Sequence, residues 1–469
     1  MAGIGFELKK LYASRGGFSK IRAVFYSSIV IAGPMIMGAL LLFGQKYLSI
    51  QFGASSHEQD VIIVITTYSL LFPLLLTSFF SYMISRYIAD KLYQGEYKNI
   101  LPSMYGLTSI LLLIGSLGWG IFLYLADIPF HYAILSFILF CSALVAWVQI
   151  TYITAVKYYR DILSGFIAGI FTGLLAGVLL ILLFQAEVVT AFLTSACIAY
   201  GIMVIVYVYA LHKYFPLRAL KHKETFEFLK WIKKYPSLSM VGFFTTLGLF
   251  IHLMLMWKSP WGIQVIGLFY HAPMHDIPAL FAFLSILVTT VNFVTSVEVN
   301  FYPKYQVYFG LINNGGALTD IKKAHSEMLI VLKQELFYLA LRQMFATIIF
   351  VVIVSGIISN LGLGFTHEMI GLYRVMCVGY AFYAIGNSMM LILLYFVDFI
   401  GAVFSGFTLL LVNTIGTLYT ISLSSNFYGF GFLVAGLTMC LVTLSRLSFY
   451  TRRLDYFIFC KQPIFVKNN

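Results

Sequence analysis

Apolar residues in this chain come in long runs separated by short polar segments. The runs fall at about 23–43, 61–84, 104–126, 131–153, 162–184, 188–210, 239–257, 277–297, 343–363, 371–396, 399–422 and 428–449. Each is close to the roughly 20 residues that carry a helix across the hydrocarbon core of a bilayer. None alternates apolar with polar residues at a period of two, which excludes a transmembrane β-barrel. The pattern predicts an all-α polytopic membrane protein with twelve transmembrane helices.

The widest charged gap in the first part of the chain, 211–238, leaves six runs on either side. Six plus six is the plan of transporters built from two similar halves around a central cavity. The expected divisions are a segment 1–22, a first six-helix lobe 23–210, a basic linker 211–238, a second lobe 239–450 that includes a loop 298–342, and a tail 451–469. If the N-terminus is cytoplasmic and the runs alternate, 27 of the 30 Lys and Arg residues lie inside, and only Lys46, Lys258 and Arg374 lie outside. Basic residues collect on the cytoplasmic side, so both termini are expected in the cytoplasm.

Composition narrows the class further. The chain is 61% hydrophobic and only 10% charged, with a mean hydropathy of +0.91, a balance no soluble domain has. Its net charge of +12 needs no nucleic-acid partner, because the basic residues lie in juxtamembrane segments that fix topology and attract anionic lipid. The first 22 residues are mixed polar and basic, and no cleavable signal peptide is expected. Residues 4–22 and 319–342 read as interfacial helices. In the second, Met328, Leu332 and Leu339 alternate with Lys322, Lys323, Glu327 and Glu335, which suits a helix lying on the membrane or docking a cytosolic partner. The five cysteines are scattered without a CxxC pair and read as free thiols packed as small hydrophobes.

Catalytic signatures are lacking. There is no Walker A sequence, no GxGxxG after a strand and no HExxH, so neither an enzyme nor a cofactor is expected. "YHAPMHD", with His271, His275 and Asp276, reads either as a metal trio or as a polar outer loop. Lys230, Lys233 and Lys234 in the linker, with Lys322 and Lys323, are candidates for docking a partner.

Polar residues inside the runs carry more information. Gly33 and Pro34 interrupt the first run at mid-membrane. Proline removes a helix hydrogen bond, and a freed carbonyl is tolerable at that depth only where protein or water satisfies it. In the second run Thr66, Ser69, Pro73, Thr77 and Ser81 recur at steps of three and four and lead to Arg86. In the eighth, Ser285, Thr289, Asn292, Ser296 and Asn300 do the same, with Glu298 nearby. The seventh carries His252 and ends at Trp257. Such stripes line a hydrated substrate path or serve as helix–helix glue. An intramembrane histidine is a functional candidate or a buried hydrogen-bonding residue.

Four stretches, "MAGIGFEL" at the start, the Gly33-Pro34 break, "SRYIADKLYQGEY" at 84–97 and "EVNFYPKYQVYF" at 298–309, resemble the PelG family of Pel exopolysaccharide transporters. That family is similar to the multidrug/oligosaccharidyl-lipid/polysaccharide flippase superfamily, whose first, second, seventh and eighth helices wall a central cavity. The resemblance implies export of an N-acetylhexosamine-rich polysaccharide across the bacterial cytoplasmic membrane for a biofilm matrix. It also implies partners: a cytosolic UDP-sugar-dependent glycosyltransferase, a membrane-anchored cyclic-di-GMP receptor and accessory membrane subunits. Ion-driven flippases often carry buried carboxylates in the first lobe, and here Asp127, Asp161 and Glu187 lie only at span edges. A drug or ion antiporter on the same scaffold and a non-transporting scaffold for the glycosyltransferase are the competing readings.

Overall fold

The computed structural model describes residues 38–156, 159–215, 222–360 and 365–459. Gly33 and Pro34, and most of the first expected span, lie outside these residues; the span's remainder is helix α1, 38–51. Among the described residues, eleven helical segments are long and apolar enough to cross a membrane. They answer to the second through twelfth expected spans.

The chain divides into two compact units, Met1–Leu280 and Phe281–Asn469. The division falls inside the eighth span. In the first unit, α2 (Ser56–Tyr93) starts at a capping box, in which Ser55 and Glu58 satisfy each other's backbone donors, and carries Pro73 within it. After it come α3 (Ile100–Ala126), α4 (Phe130–Val156), α5 (Tyr159–Phe184) and α6 (Val188–Tyr214). Two short linker helices, α7 (His222–Thr225) and α8 (Leu229–Lys234), lead into α9 (Pro236–Met256).

Small residues set the close approaches. A Cβ at Gly173 on α5 would strike the Ser195 carbonyl on α6, and one at Gly242 on α9 would strike the Ser78 carbonyl on α2. With little hydrophobic drive between helices in lipid, backbone proximity supplies the dispersion contact. This is why α9, the seventh span, packs within the first unit.

Three features differ from the sequence reading. First, a two-stranded antiparallel hairpin, β1 (Ile263–Ile266) and β2 (Phe269–His271), stands between the seventh and eighth spans. Second, the eighth span is not uniform: α10 (Pro273–Phe283) gives way to a 3₁₀ turn, α11 (Leu287–Val294), a π-helical segment Thr295–Phe301 and α12 (Tyr302–Asn313). Third, 298–342 is not a loop, and 319–342 is not a separate interfacial helix. It belongs to α13 (Leu318–Ile349), which runs on into the ninth span, 41 residues in all from Leu318 to Ile358. Its apolar stripe is already covered: Met328, Leu332 and Leu339 share a buried core with Phe301 and Tyr308 of the preceding segment. In the rest of the second unit, α14 (His367–Tyr395), α15 (Phe399–Ile421) and α16 (Phe430–Arg452) pack on one another, and α17 (Leu454–Phe459) follows.

Candidate functional site

In the first unit the polar stripe of α2 is divided in use. Thr66 and Ser69 are buried, and Ser69 Oγ lies 2.9 Å from Ser136 Oγ on α4. Thr77 is buried and donates to the Pro73 carbonyl, 2.9 Å away. Half-buried Ser81 donates to the Ser78 carbonyl. Interhelical and local backbone bonding therefore occupy much of this stripe.

At the end of α2 the picture changes. Arg86 is exposed and pairs with Asp90 at 3.0 Å. Asp90 also accepts from Trp231 Nε1 of α8 at 2.9 Å. One turn on, Lys91 is buried, its ammonium 2.6 Å from Glu96 and 2.9 Å from Glu227. Asn99 donates to the same two carboxylates. Tyr87 meets the Trp231 ring edge-on at 5.0 Å. The "SRYIADKLYQGEY" stretch thus clamps the linker to the first unit. The clamp leaves Lys230, Lys233 and Lys234 of α8 exposed, with Lys234 resting over the Trp231 and Tyr235 rings.

At the opposite end of α9, Asp276 is a node. One of its oxygens accepts from Trp257 Nε1 and from the Ala272 backbone, both at 3.0 Å, and the other lies 3.2 Å from His275 Nδ1. His275 and His252 are buried, their rings 5.4 Å apart. Trp257 stacks on Tyr68 at 4.4 Å and 18°, and the Tyr68 hydroxyl donates to the Tyr270 carbonyl of the hairpin at 3.0 Å. Lys258 lies 3.2 Å from the centre of the Tyr270 ring, a cation–π contact. His271 turns instead to Asp60, 3.8 Å away. Burial holds its imidazole below the usual pKa, against the opposing pull of Asp60 and Asp276. The three residues of "YHAPMHD" are therefore not convergent, and among the described residues no group of three or more His, Cys, Asp or Glu is placed to hold a metal.

In the second unit the eighth-span stripe faces α13. Thr289 donates to Gln343 Oε1 at 2.5 Å, and Gln343 Nε2 reaches Thr347 at 3.2 Å and the Ser285 carbonyl at 3.4 Å. Ser285, Thr289, Ser296 and Gln343 are buried. Nearer the surface, Arg342 Nη1 donates to Asn292 Oδ1 at 3.1 Å, and Asn300 Nδ2 donates to Glu335 Oε1 at 2.7 Å. The Glu298 side chain lies outside the described residues. Lys322 and Lys323 are exposed on the first turns of α13. Sequence reasoning missed Gln343, Arg342 and Glu335 as partners of the stripe. Their signal was a helical period continuing from 319–342 into the ninth run, which makes one rod of the two.

The fold is that of several solved transporters. With the eukaryotic MATE transporter AtDTX14 the TM-score is 0.56 at 11% identity, covering 92% of this chain and 98% of that one. With the Vibrio cholerae MATE transporter VcmN in the bent form it is 0.56 at 10% identity, covering 97% and 99%. With an inward-facing multidrug resistance MATE family transporter of the MOP superfamily it is 0.59 at 10% identity, covering 91% and 99%. At these identities the likeness shows the fold alone. No curated protein matches the sequence. A family model described as "PelG: Putative exopolysaccharide Exporter (EPS-E)" matches residues 1–459. A multi-pass helical membrane protein of transporter fold, matched by that model over nearly its whole length, belongs to the PelG family.

Proposed function

We propose that this protein exports a Pel-type, N-acetylhexosamine-rich exopolysaccharide across the bacterial cytoplasmic membrane as a cytosolic UDP-sugar-dependent glycosyltransferase makes it. The observation that carries this reading is the exopolysaccharide-exporter family model, which spans residues 1–459. The charge distribution supports an orientation with both termini, the linker and the charged half of α13 on the cytoplasmic side. In that orientation the exposed lysines of α8, held out by the Lys91 and Trp231 clamp, form a basic docking face for the glycosyltransferase. A membrane-anchored cyclic-di-GMP receptor and accessory subunits complete the complex. The stripes on the second and eighth spans, with Arg86, His252 and Trp257, supply candidate path residues. Of the eighth-span stripe, Asn292 and Asn300 are the more accessible members.

The test is deletion of the chain in its host, with secreted polymer and cytosolic glycosyltransferase activity measured together. Loss of secreted polymer with the transferase activity intact is expected, and full-length chain restores secretion. Asn292→Leu, which removes an amide and adds apolar surface, should lower secretion at a normal protein level. Unchanged secretion in the deletion strain would refute the reading.

A further inference from the structure

Helix α13 has three kinds of side. Met328, Leu332, Leu339 and Gln343 are buried, while Ile330, Phe337, Leu341 and Phe345 are exposed and apolar. Between these sides run Glu327, Glu335 and Arg342. Each meets a polar group of the preceding segment: Lys304 to Glu327 at 2.8 Å, Asn300 to Glu335 at 2.7 Å, and Asn292 to Arg342 at 3.1 Å. The partners run backwards as α13 runs forwards, so the three pairs form a ladder. It covers about 22 Å of α13 at the α-helical rise of about 1.5 Å per residue.

The upper two rungs have a property that helix packing does not require. Glu335 and Arg342 carry opposite charges, yet each is bonded to a neutral amide, and among the described residues neither has an ion-pair partner. Each amide holds its charged neighbour in place by a single bond. Among the described residues, one carboxylate oxygen and most of the five guanidinium N–H donors have no further partner and can meet another ligand. Between these rungs, Tyr338 stands three residues after Glu335 and four before Arg342, on the same face of α13, and its ring is exposed. Preset hydrogen-bonding heads next to aromatic surface form a polar-and-apolar lining of the kind that orients a ligand.

Building on the exopolysaccharide reading, we propose that this ladder is a binding strip for a hydroxyl-rich glycan chain, with Glu335 and Arg342 as direct contacts. Hydroxyl groups both donate and accept, so a polyol satisfies an acid and a base on one strip. An anionic lipid headgroup would pair with Arg342 and be repelled by Glu335, which favours the glycan as occupant.

The test uses detergent-purified full-length protein and an N-acetylglucosamine hexasaccharide, with affinity read by calorimetry. Glu335→Gln and Arg342→Gln should each weaken binding roughly tenfold, the scale of one charge-assisted bond, while Lys322→Gln leaves it unchanged. Should Glu335→Gln fail to fold, Glu335→Asp retracts the carboxylate by one methylene and serves the same comparison. Wild-type binding that neither variant weakens would overturn the strip and leave the exporter reading standing. Wild-type protein that binds no hexasaccharide would overturn both. Displacement of the hexasaccharide by phosphatidylglycerol vesicles, with Glu335→Gln binding those vesicles more tightly, would assign the strip to lipid and overturn the glycan.

Discussion

Lys91 and Glu227 are 136 positions apart in the chain, and their charged groups meet at 2.9 Å. Lys91 is 3% exposed, and its second partner, Glu96, is 2.6 Å away. The pair ties the end of the second span to the linker. It thereby fixes where the basic face of α8 stands on the first unit.

Removing one member should cost more than removing both. Lys91→Met leaves two carboxylates facing each other at a buried site, a loss of about 1–3 kcal/mol once the partial exposure of both is allowed for. Adding Glu227→Leu should recover part of it. A double-mutant cycle in Tm of the purified protein measures the coupling, and strict additivity would show that the contact contributes nothing.

Reversing the α8 charges tests docking directly. Lys230→Glu, Lys233→Glu and Lys234→Glu together should reduce co-purification of the glycosyltransferase, because all three side chains are exposed. Insertion and protein level should hold, since no described ion pair is broken. Undiminished co-purification would move the interface elsewhere.

The second unit has its own tether. Arg446 holds Asp398 with two bonds, Nε at 2.6 Å and Nη2 at 2.8 Å, and Asp398 also caps α15 through the Gly401 N–H at 3.2 Å. Arg446→Lys keeps the charge but loses the two-pronged geometry, for an expected loss of about 1–2 kcal/mol. Asp398→Ala removes pair and cap together and should lower Tm further. Equal effects of the two substitutions would show that the cap is idle.

His271 makes stability depend on pH. Its folded-state pKa is lowered by burial, so the native state favours the neutral ring. The unfolded chain takes up a proton near the ordinary value of about 6.5. As pH falls through that value the unfolded state binds more protons, and stability is lost. Wild-type Tm should therefore fall more steeply between about pH 7 and 5 than that of His271→Gln. Parallel pH profiles would remove His271 from the account.

How much of this was legible beforehand follows from the range of each interaction. The positions of spans two to twelve, the membrane class and the polar stripes could be read directly, because hydropathy and helical period are properties of neighbouring residues. The PelG resemblance rested on short local stretches and is matched by the family model over residues 1–459. The partners of those residues could not be read. Glu227 for Lys91, Gln343 for Thr289, Arg342 for Asn292 and Arg446 for Asp398 each lie dozens of positions away, and nothing local selects them. The hairpin at 263–271 was hidden for a related reason: a pair of strands this short gains its stability from what it packs on, here Tyr68 against Phe269 at 5.0 Å. The continuity of α13 was missed because a change from charged to apolar composition looks like a boundary, although no Pro or Gly interrupts the helix from Leu318 to Ile349. The sequence by itself determined that these segments are helices for a membrane and which faces are polar. Only the tertiary structure decided which polar groups are bonded helix to helix and which, such as Glu335 and Arg342 among the described residues, keep donors and acceptors to spare, because that depends on where distant segments pack.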